Sequence, residues 1–305
     1  MKLERFGKYS FVRPESQVLW KRSLDAEWKQ PHAVFQPTGE ESGGHWEFRK
    51  KVEERWIMSY PLTPRFDFGG GAKGATSSAQ REDAVKFWAM TTPGRHLGVF
   101  PEVAAHWDWF SDLIHHKVHE GHTPAPGTGA GGEVNVLNLF GYTGLATLAA
   151  AAAGARVTHV DASKKSVSWA RDNQALSGLT DKPIRWIVDD ALKFVQREAR
   201  RGVKYDGIIL DPPKFGRGPK GEVWEVYKSL PILLEACRAC LSDNPLFVVA
   251  TVYAVRASAI HVAQALDEMM KEFEGKVESG ELVTREQSAG RLLSQAVYAR
   301  WEREA

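Results

Sequence analysis

Cysteine is almost absent from the sequence, which has only Cys237 and Cys240 among its 305 residues. Two cysteines cannot form the disulfide framework of a small secreted domain, and their scarcity is typical of a reducing compartment. No second pair of Cys or His residues lies nearby in the sequence. The pattern therefore favours packing within a helix over metal ligation, and we predict no metal site.

The sequence also has no large excess of charge of one sign and no long apolar run. The net charge is +2 at pH 7, so any nucleic-acid binding must depend on local patches. The longest run of small apolar residues, 148–153, is far shorter than the roughly 20 residues that cross a bilayer. The N-terminus, MKLERFGKYS, has no apolar signal core. We therefore predict a cytoplasmic protein that does not span a membrane.

The first hundred residues differ from the rest in their sequence pattern. They contain short alternating runs, such as 45–50 and 56–60, which predict a small β-rich module over 1–100 and a second domain over 101–305. The module's tryptophans are expected to fill its core, with stacking on nucleic-acid bases as the alternative; they are Trp20, Trp28, Trp46, Trp56 and Trp88. The glycine-rich stretches 68–78 and 121–132 predict loops.

From Glu133 onward, apolar strand patterns alternate with amphipathic helix patterns. Such repeated units predict an α/β fold, here a Rossmann-like, doubly wound and mostly parallel sheet. Segments 281–285 and 295–300 are expected to close the sheet as an antiparallel hairpin. Ligands of such sheets bind beyond the carboxyl ends of the strands, and the motifs described next all follow predicted strands.

The first of these motifs is Asn138-Leu-Phe-Gly-Tyr-Thr-Gly144. Its two glycines allow close approach of a ligand, and the following helix directs its N-terminal amides to the same place. A dinucleotide site would have three glycines, so the loop suits an amino-acid carboxylate better than a diphosphate. Asp161 ends the second strand, where an acid commonly binds ribose hydroxyls. Asp190 follows the third strand and could bind an adenine amino group or simply cap a helix.

The second motif, Asp211-Pro-Pro-Lys-Phe215, ends the fourth strand. Two prolines fix the backbone and remove two donors, which leaves carbonyls and a carboxylate facing the pocket mouth. An acceptor at this point could orient an attacking amino group or take its proton, and Phe215 could stack on a planar target. The predicted catalytic residues are Asp211, Pro212, Pro213 and Phe215.

Taken together, these motifs resemble those of the bacterial large-subunit ribosomal RNA methyltransferases, the group that includes the cytosine carbon-5 enzyme and guanine-modifying relatives. The resemblance extends from about Gly98 to the C-terminus and includes Gly98-Val-Phe-Pro-Glu102 and Gly290-Arg-Leu-Leu-Ser294. It implies S-adenosylmethionine as the cofactor and RNA, in particular large-subunit ribosomal RNA, as the substrate. The cofactor-binding residues implied are Phe100, Asn138, Phe140, Gly141, Tyr142, Thr143, Gly144, Asp161, Ala162, Ser163, Asp190, Ala191 and Asp211.

One departure from the resemblance bears on the chemistry. Methylation of cytosine carbon 5 requires a cysteine that adds to carbon 6, and neither 211–218 nor 251–257 contains one. We therefore expect transfer to a nitrogen, which needs only proximity, in-line geometry and a proton acceptor. Basic residues near the same strand ends are predicted to contact RNA phosphates, with glycines 216, 218 and 221 making their loop flexible. These residues are Lys214, Arg217, Lys220, Arg256 and Arg291.

Three other interpretations remain open from the sequence. The chain could be a nicotinamide-dependent oxidoreductase, although the two-glycine loop and Asp211-Pro-Pro213 argue against it. It could be a non-catalytic RNA-binding factor that retains the cofactor pocket. It could also methylate a protein or a small molecule, which the nearly neutral charge allows.

Overall fold

The N-terminal residues form β structure, as predicted. The computed structural model describes residues 1–22, 26–38, 43–62, 84–119, 133–253 and 255–304, so the glycine-rich stretches 68–78 and 121–132 lie outside the described residues. One four-stranded sheet and one hairpin precede the larger sheet. Their strands are β1 (Lys2–Phe6), β2 (Tyr9–Arg13), β3 (Ala33–Pro37), β4 (Gly44–Phe48), β5 (Trp56–Pro61) and β6 (Ala84–Ala89).

The tryptophans of this region divide into two groups. Trp56 is buried and stacks on Phe11 with ring centroids 5.6 Å apart. Trp46 is half-buried and donates its indole N–H to the Thr92 carbonyl at 2.8 Å. The other three rings each lie under a guanidinium group, and these pairs are Trp20 with Arg291, Trp28 with Arg22, and Trp88 with Arg55. The core prediction therefore holds for two of the five tryptophans.

Residues 101–304 contain alternating helices and strands. A 3₁₀ turn (Pro101–Val103) leads into α1 (Ala104–His119). The remaining helices are α2 (Leu145–Ala152), α3 (Lys164–Leu176), α4 (Ala191–Arg200), α5 (Val226–Ala239) and α6 (Ala259–Met270). The strands are β7 (Asn135–Leu139), β8 (Arg156–Asp161), β9 (Ile184–Val188), β10 (Gly207–Leu210), β11 (Phe215–Arg217), β12 (Val223–Glu225), β13 (Phe247–Val252), β14 (Gly275–Arg285) and β15 (Leu292–Arg303).

Seven strands form the large sheet, in the order β14-β15-β13-β10-β7-β8-β9. Every neighbouring pair from β13 to β9 is parallel, and β15 runs antiparallel to both β13 and β14. The predicted α/β class, the mostly parallel sheet and its closing hairpin are thus confirmed. The hairpin is longer than 281–285 and 295–300 because β14 is an edge strand with few buried side chains, which leaves little apolar alternation to detect.

The two faces of the sheet bury separate apolar clusters. One cluster joins Phe11 and Trp56 to α1, α2 and β7, so the N-terminal strands share a continuous core with one face. The other is formed with α4, α5 and α6. Strand order reverses between β7 and β10, whose last residues, Leu139 and Leu210, are in register. The loops after these strands therefore emerge side by side, where ligands of such sheets bind. Within the described ranges, no helix combines the length and apolar character needed to cross a membrane.

Candidate functional site

The loop after β7 is strained. Phe140 and Tyr142 have positive φ angles of 58° and 49°, a region that side-chain-bearing residues rarely occupy. Gly144 has a φ of 83° and precedes α2, and a Cβ atom there would lie 2.7 Å from that of Ala170. The Tyr142 amide donates to Asp161 Oδ2 at 2.9 Å.

Asp161, at the end of β8, is held by the backbone on both carboxylate oxygens. The second oxygen, Oδ1, accepts from the Ser163 amide at 2.8 Å. Burial raises the pKa of Asp161, and the bonds from Ser163 and Tyr142 act in the opposite direction. Ser163 also caps α3 by accepting from the Ser166 amide, with Ala162 between it and Asp161. Asp161 thus joins the ends of β7 and β8.

The other polar residues of the glycine loop are also bonded within the protein. The Asn138 amide nitrogen donates to Thr147 Oγ1 at 2.8 Å, and that hydroxyl lies 2.9 Å from His159 Nδ1. Burial lowers the pKa of His159 to about 3, so the ring is neutral. The Thr143 hydroxyl donates to the Gly98 carbonyl at 2.7 Å. A Cβ atom at Gly141 would lie 2.4 Å from the His159 ring.

Asp190 is the N-cap of α4, the alternative left open by the sequence. Its side chain accepts from the Lys193 amide at 2.9 Å, while Ala191 is buried at the start of the helix. The neighbouring Asp189 bonds to Arg197 at 2.7 Å. One carboxylate oxygen of Asp190 caps the helix, so any adenine contact would have to use the other.

Asp211 differs from these acids. It directly follows β10, and its Oδ1 atom is buried without a hydrogen-bond partner among the described residues. Burial, and to a lesser degree the charge of Glu102, raise the pKa of Asp211 to about 8. A buried acceptor left open in this way is costly for the fold, which is typical of a ligand-binding group.

Glu102 and Tyr253 accompany Asp211, and the sequence analysis gave neither a role. Burial raises the pKa of Glu102, and burial with the charges of Asp211 and Glu102 raises the pKa of Tyr253. The Tyr253 hydroxyl is buried, and the Glu102 side chain lies close enough to contribute to its raised pKa through a hydrogen bond. The Tyr253 ring packs on Phe100 at 5.4 Å, and Phe100 packs on Tyr142 at 5.7 Å. The position of Tyr253 directly after β13 could have identified it, by the argument that identified Asp211.

A cleft lies between α1 and the carboxyl ends of β7, β10 and β13, and Asp211, Phe100 and Tyr142 are among the residues that line it. Its empty volume is about 540 Å³, including the open mouth. His106 of α1 lines it, and burial lowers the pKa of that imidazole to about 3. Of the described residues that line the cleft, none is Lys or Arg. They are Val99, Phe100, Val103, His106, Trp107, Phe110, Asn138, Phe140, Gly141, Tyr142, Thr143, Leu145, Ala146, Ile209, Asp211, Val249 and Thr251.

The segment after Pro213 is a β-hairpin, not the flexible glycine loop that we predicted. Strands β11 and β12 pair in register, with Phe215 opposite Glu225 and Arg217 opposite Val223. The alternate residue Trp224 points inward, is buried, and donates its indole N–H to the Pro213 carbonyl at 2.7 Å. That anchor, together with the pairing, holds the segment in one conformation. Phe215, Arg217 and Val223 are exposed on the outer face.

The predicted RNA-contacting cations are not equivalent. Lys214, Arg217 and Lys220 are exposed on or beside the hairpin, and Arg256 is exposed after β13. Arg291 differs because it forms two bonds to Glu286, one of them 2.9 Å long, and covers the Trp20 ring. The Glu286 carboxylate offsets the charge of Arg291, and contact of Arg291 with RNA phosphates stays a prediction.

Neither of the two cysteines lines this cleft. Cys237 is within α5 and Cys240 is its C-cap, and both are fully buried free thiols. Burial raises the pKa of both. They pack in the core, as the sequence predicted, and as protonated buried thiols they are poor nucleophiles.

Comparison with known proteins gives a consistent family. The model of an S-adenosylmethionine-dependent methyltransferase family matches residues 127–274. A solved S-adenosylmethionine-dependent methyltransferase from Agrobacterium tumefaciens is 42% identical, and the alignment covers 99% of this chain and 87% of that chain with a TM-score of 0.82.

Curated relatives match over a shorter stretch. The ribosomal RNA large subunit methyltransferase K/L of Shewanella frigidimarina is 38% identical over 112 residues, which is 36% of this chain. The protein of the same name from Shewanella sp. strain W3-18-1 is 42% identical over 111 residues. The chain spans only 15% of the length of each of these relatives.

Proposed function

The chain belongs to the S-adenosylmethionine-dependent methyltransferases, and we propose that it methylates a nitrogen atom of an RNA base, with large-subunit ribosomal RNA as the substrate. The observation that carries this proposal is the open, buried carboxylate oxygen of Asp211 at the cleft, next to an exposed hairpin that bears Phe215 and Arg217. We set aside the oxidoreductase interpretation, because enzymes of this family transfer a methyl group rather than a hydride.

S-adenosylmethionine is the cofactor of the family, and the residues present fit it. It supplies a methyl group activated by a positively charged sulfur. The cleft lies against the glycine loop after β7 and is lined by aromatic and aliphatic side chains together with the open oxygen of Asp211. Asp161, fixed by the Tyr142 and Ser163 amides, is the residue that would accept from the ribose hydroxyls.

The protein's own contribution to catalysis centres on Asp211. A neutral amino nitrogen that received the methyl group supplied by the cofactor would gain a positive charge and would then have to lose its N–H proton. The carboxylate of Asp211 accepts a hydrogen bond from the N–H and then takes the proton. Pro212 and Pro213 fix the backbone on which Asp211 stands, and their rigidity favours a defined approach of the nitrogen.

The cysteines support nitrogen over carbon 5 as the target. Carbon-5 methylation would require a thiolate in the cleft, and the chain's two cysteines are buried in and at the end of α5. Neither of them lines the cleft. Direct transfer to nitrogen uses only groups of the kind that Asp211 provides.

RNA as the acceptor is supported by the hairpin and by the relatives' names. A ring such as Phe215 stacks on any base, and Arg217 beside it can contact a phosphate or stack in turn. Lys214, Lys220 and Arg256 add exposed positive charge near the same strand ends, although the whole chain is nearly neutral.

The deciding experiment uses ribosomal RNA from cells that lack the protein. The purified chain should transfer labelled methyl groups to that RNA, and nucleoside mass spectrometry should find the label on a ring or exocyclic nitrogen. Label on cytosine carbon 5 would disprove the nitrogen assignment. Incorporation into protein or small molecules alone would disprove the RNA assignment, and no transfer to any fraction would favour a non-catalytic factor.

RNA binding by the hairpin can be tested separately through salt dependence. Lys214→Ala with Arg217→Ala should weaken RNA binding and flatten the plot of log affinity against log salt by about 1.5 units, as expected for two lost phosphate contacts. A matched control is Arg200→Ala with Lys204→Ala, which removes the same charge near the amino ends of the strands. Equal slopes for the two double variants would contradict a role for the hairpin.

A further inference from the structure

Two neighbouring residues of α1 bring unused polar groups to the cleft. His106 and Trp107 both line it, and each is only 3% exposed. Neither ring nitrogen of His106 and not the indole nitrogen of Trp107 has a hydrogen-bond partner among the described residues. Buried polar groups that are left open cost stability, so two of them side by side at one cleft indicate a ligand that completes them.

A third ring of the same helix shows what a satisfied donor looks like here. Trp109 donates its indole N–H to Glu302 Oε2 at 2.9 Å and does not line the cleft. The rings of His106 and Trp107 are held by packing instead, edge-on to Tyr298 at 4.9 Å and to Tyr60 at 5.3 Å. Packing fixes where these two rings lie and gives their nitrogens no oxygen or nitrogen partner.

The polar side chains of the glycine loop are already bonded within the protein. Asn138 donates to Thr147 Oγ1 at 2.8 Å, and the Thr143 hydroxyl donates to the Gly98 carbonyl at 2.7 Å. A ligand could take these donors only by breaking the bonds that hold the loop. The open groups of α1 are therefore better placed to meet a ligand than the side chains of the loop.

The first turn of α2 adds backbone donors to the same cleft. Its N-cap, Gly144, has no side chain to cap the helix, and the first two helical residues, Leu145 and Ala146, line the cleft. The first amides of a helix have no partner within it and carry the positive end of its dipole. None of the described lining residues is Lys or Arg, so a carboxylate bound here would have to be held by neutral donors.

The amino-acid end of the family's cofactor matches these groups. The strands that line the cleft are β7, β10 and β13, whereas Asp161, the proposed ribose ligand, ends β8. With the ribose at Asp161, the amino-acid end is the part of the cofactor left to enter the cleft. The Trp107 N–H can only donate and so fits the carboxylate, while a neutral His106 ring has one donor and one acceptor nitrogen.

We infer that His106 and Trp107 bind the amino-acid end of S-adenosylmethionine, with the first amides of α2 completing the hydrogen bonds to its carboxylate. In this arrangement the polar side chains of the glycine loop hold the loop, and α1 supplies the side chains that hold the ligand. The inference rests on the cofactor of the family and is independent of the proposed RNA substrate.

Calorimetric binding of two ligands to the full chain, without RNA, tests the assignment. S-adenosylhomocysteine has the amino-acid end, whereas 5′-methylthioadenosine has the nucleoside and the sulfur without it. His106→Phe should weaken binding of S-adenosylhomocysteine about tenfold and change that of 5′-methylthioadenosine by less than about twofold. His106→Gln keeps an N–H donor and should bind both ligands within about threefold of the wild type.

Trp107→Phe and Trp109→Phe form a matched pair, because each removes one indole N–H from α1. Trp107→Phe should weaken S-adenosylhomocysteine about tenfold, whereas Trp109→Phe should leave both ligands within about twofold of the wild type. Decarboxylated S-adenosylhomocysteine should bind the wild type and Trp107→Phe equally, because it lacks the group to which the indole donates. Equal effects of the two tryptophan substitutions would contradict the role of Trp107.

Thermal unfolding of the free protein gives a readout that a purely structural role would not produce. His106→Phe replaces an open buried imidazole with an apolar ring, so it should not lower the unfolding midpoint, and it should reduce the rise that S-adenosylhomocysteine causes. Unchanged binding of S-adenosylhomocysteine would overturn the inference. Equal weakening of both nucleosides with a lower midpoint would also overturn it, because His106 would then serve the fold alone.

Discussion

The two sides of the cleft differ in how their polar groups are used. At the ends of β7 and β8, Asp161 bonds to two backbone amides, and Asn138 and Thr143 bond to Thr147 and Gly98. At the ends of β10 and β13, the Oδ1 of Asp211 has no partner among the described residues, and the Tyr253 hydroxyl has only Glu102 beside it as a hydrogen-bonding group in the same part of the chain. The first side is organised before any ligand arrives, and the second keeps its hydrogen-bonding capacity for the reacting groups.

The difference follows from what each side must do. The same cofactor binds in every turnover, so a rigid binding surface is favourable. A rigid surface loses less conformational entropy when the cofactor binds. The reacting side must instead have free acceptors, and leaving them buried and open costs stability. We therefore expect substitutions on the first side to affect stability and affinity, and substitutions on the second side to affect rate.

Asp211→Asn is the sharpest test of the reactive side and should have the largest effect. The amide cannot take the proton that the nitrogen loses, so the methyl-transfer rate should fall by about 100-fold or more. Single-turnover transfer of labelled methyl to the acceptor measures the rate, and binding of S-adenosylhomocysteine checks the fold. A rate within threefold of the wild type would show that Asp211 does not accept the proton.

Gly144→Ala tests the rigidity of the cofactor side. The new Cβ atom would lie 2.7 Å from the Ala170 Cβ atom at a φ of 83°, so strain and a clash add. We expect a loss of about 2–3 kcal/mol of unfolding free energy, measured by urea denaturation. Gly178→Ala is the matched control, since Gly178 has a φ of 69° but nothing within 4 Å, and it should lose only about 1 kcal/mol. Equal losses at both positions would mean that the loop can move aside.

The sequence predicts one side of the cleft better than the other. Asp161 and Asp211 could be located because a carboxylate that follows a strand of a parallel sheet lies at its ligand-binding edge. Glu102 and His106 belong to the 3₁₀ turn and α1, which precede the first strand of the sheet, and only folding brings them beside β10 and β13. Their position could not be read from the repeated strand–helix pattern.

Two local predictions failed or stayed ambiguous for physical reasons. The hairpin of β11 and β12 has only three residues on each strand, too few for an alternating pattern to stand out from Gly216, Gly218 and Gly221. Its anchor, the bond from Trp224 to Pro213, is a tertiary contact. Asp190 satisfies the requirements of a helix cap and of an adenine ligand equally, because both need an acceptor just before α4.

Asp190 substitutions can separate those two roles. Asn caps helices about as well as Asp, so Asp190→Asn should leave the unfolding free energy unchanged, whereas Asp190→Ala should lower it by about 1 kcal/mol. If the second oxygen of Asp190 accepts from adenine, Asp190→Ala should also weaken S-adenosylhomocysteine binding by about tenfold. Calorimetry and thermal unfolding measure the two effects. Unchanged affinity in both variants would leave Asp190 a helix cap alone.

The pH dependence of the reaction tests the ionisation of Asp211 without and with bound cofactor. Of the predicted effects, we expect this one to be the smallest. The pKa of Asp211 is raised to about 8, so the carboxylate fraction, and with it kcat/KM for the cofactor, should rise about eightfold between pH 7 and pH 8.5. The sign follows because an acid that must be ionised to accept a proton is inactive below its pKa.

Saturation with the cofactor should move the midpoint of the profile, because a positive sulfonium close to Asp211 favours the carboxylate. The kcat profile should therefore reach its plateau at a lower pH than the kcat/KM profile. In Glu102→Gln, the kcat/KM midpoint should also fall, since the charge of Glu102 helps to raise the pKa of Asp211. Identical midpoints for kcat and kcat/KM would show that the sulfonium does not reach Asp211, and the contrast between an organised and an open side of the cleft would then have to be explained without a charged ligand.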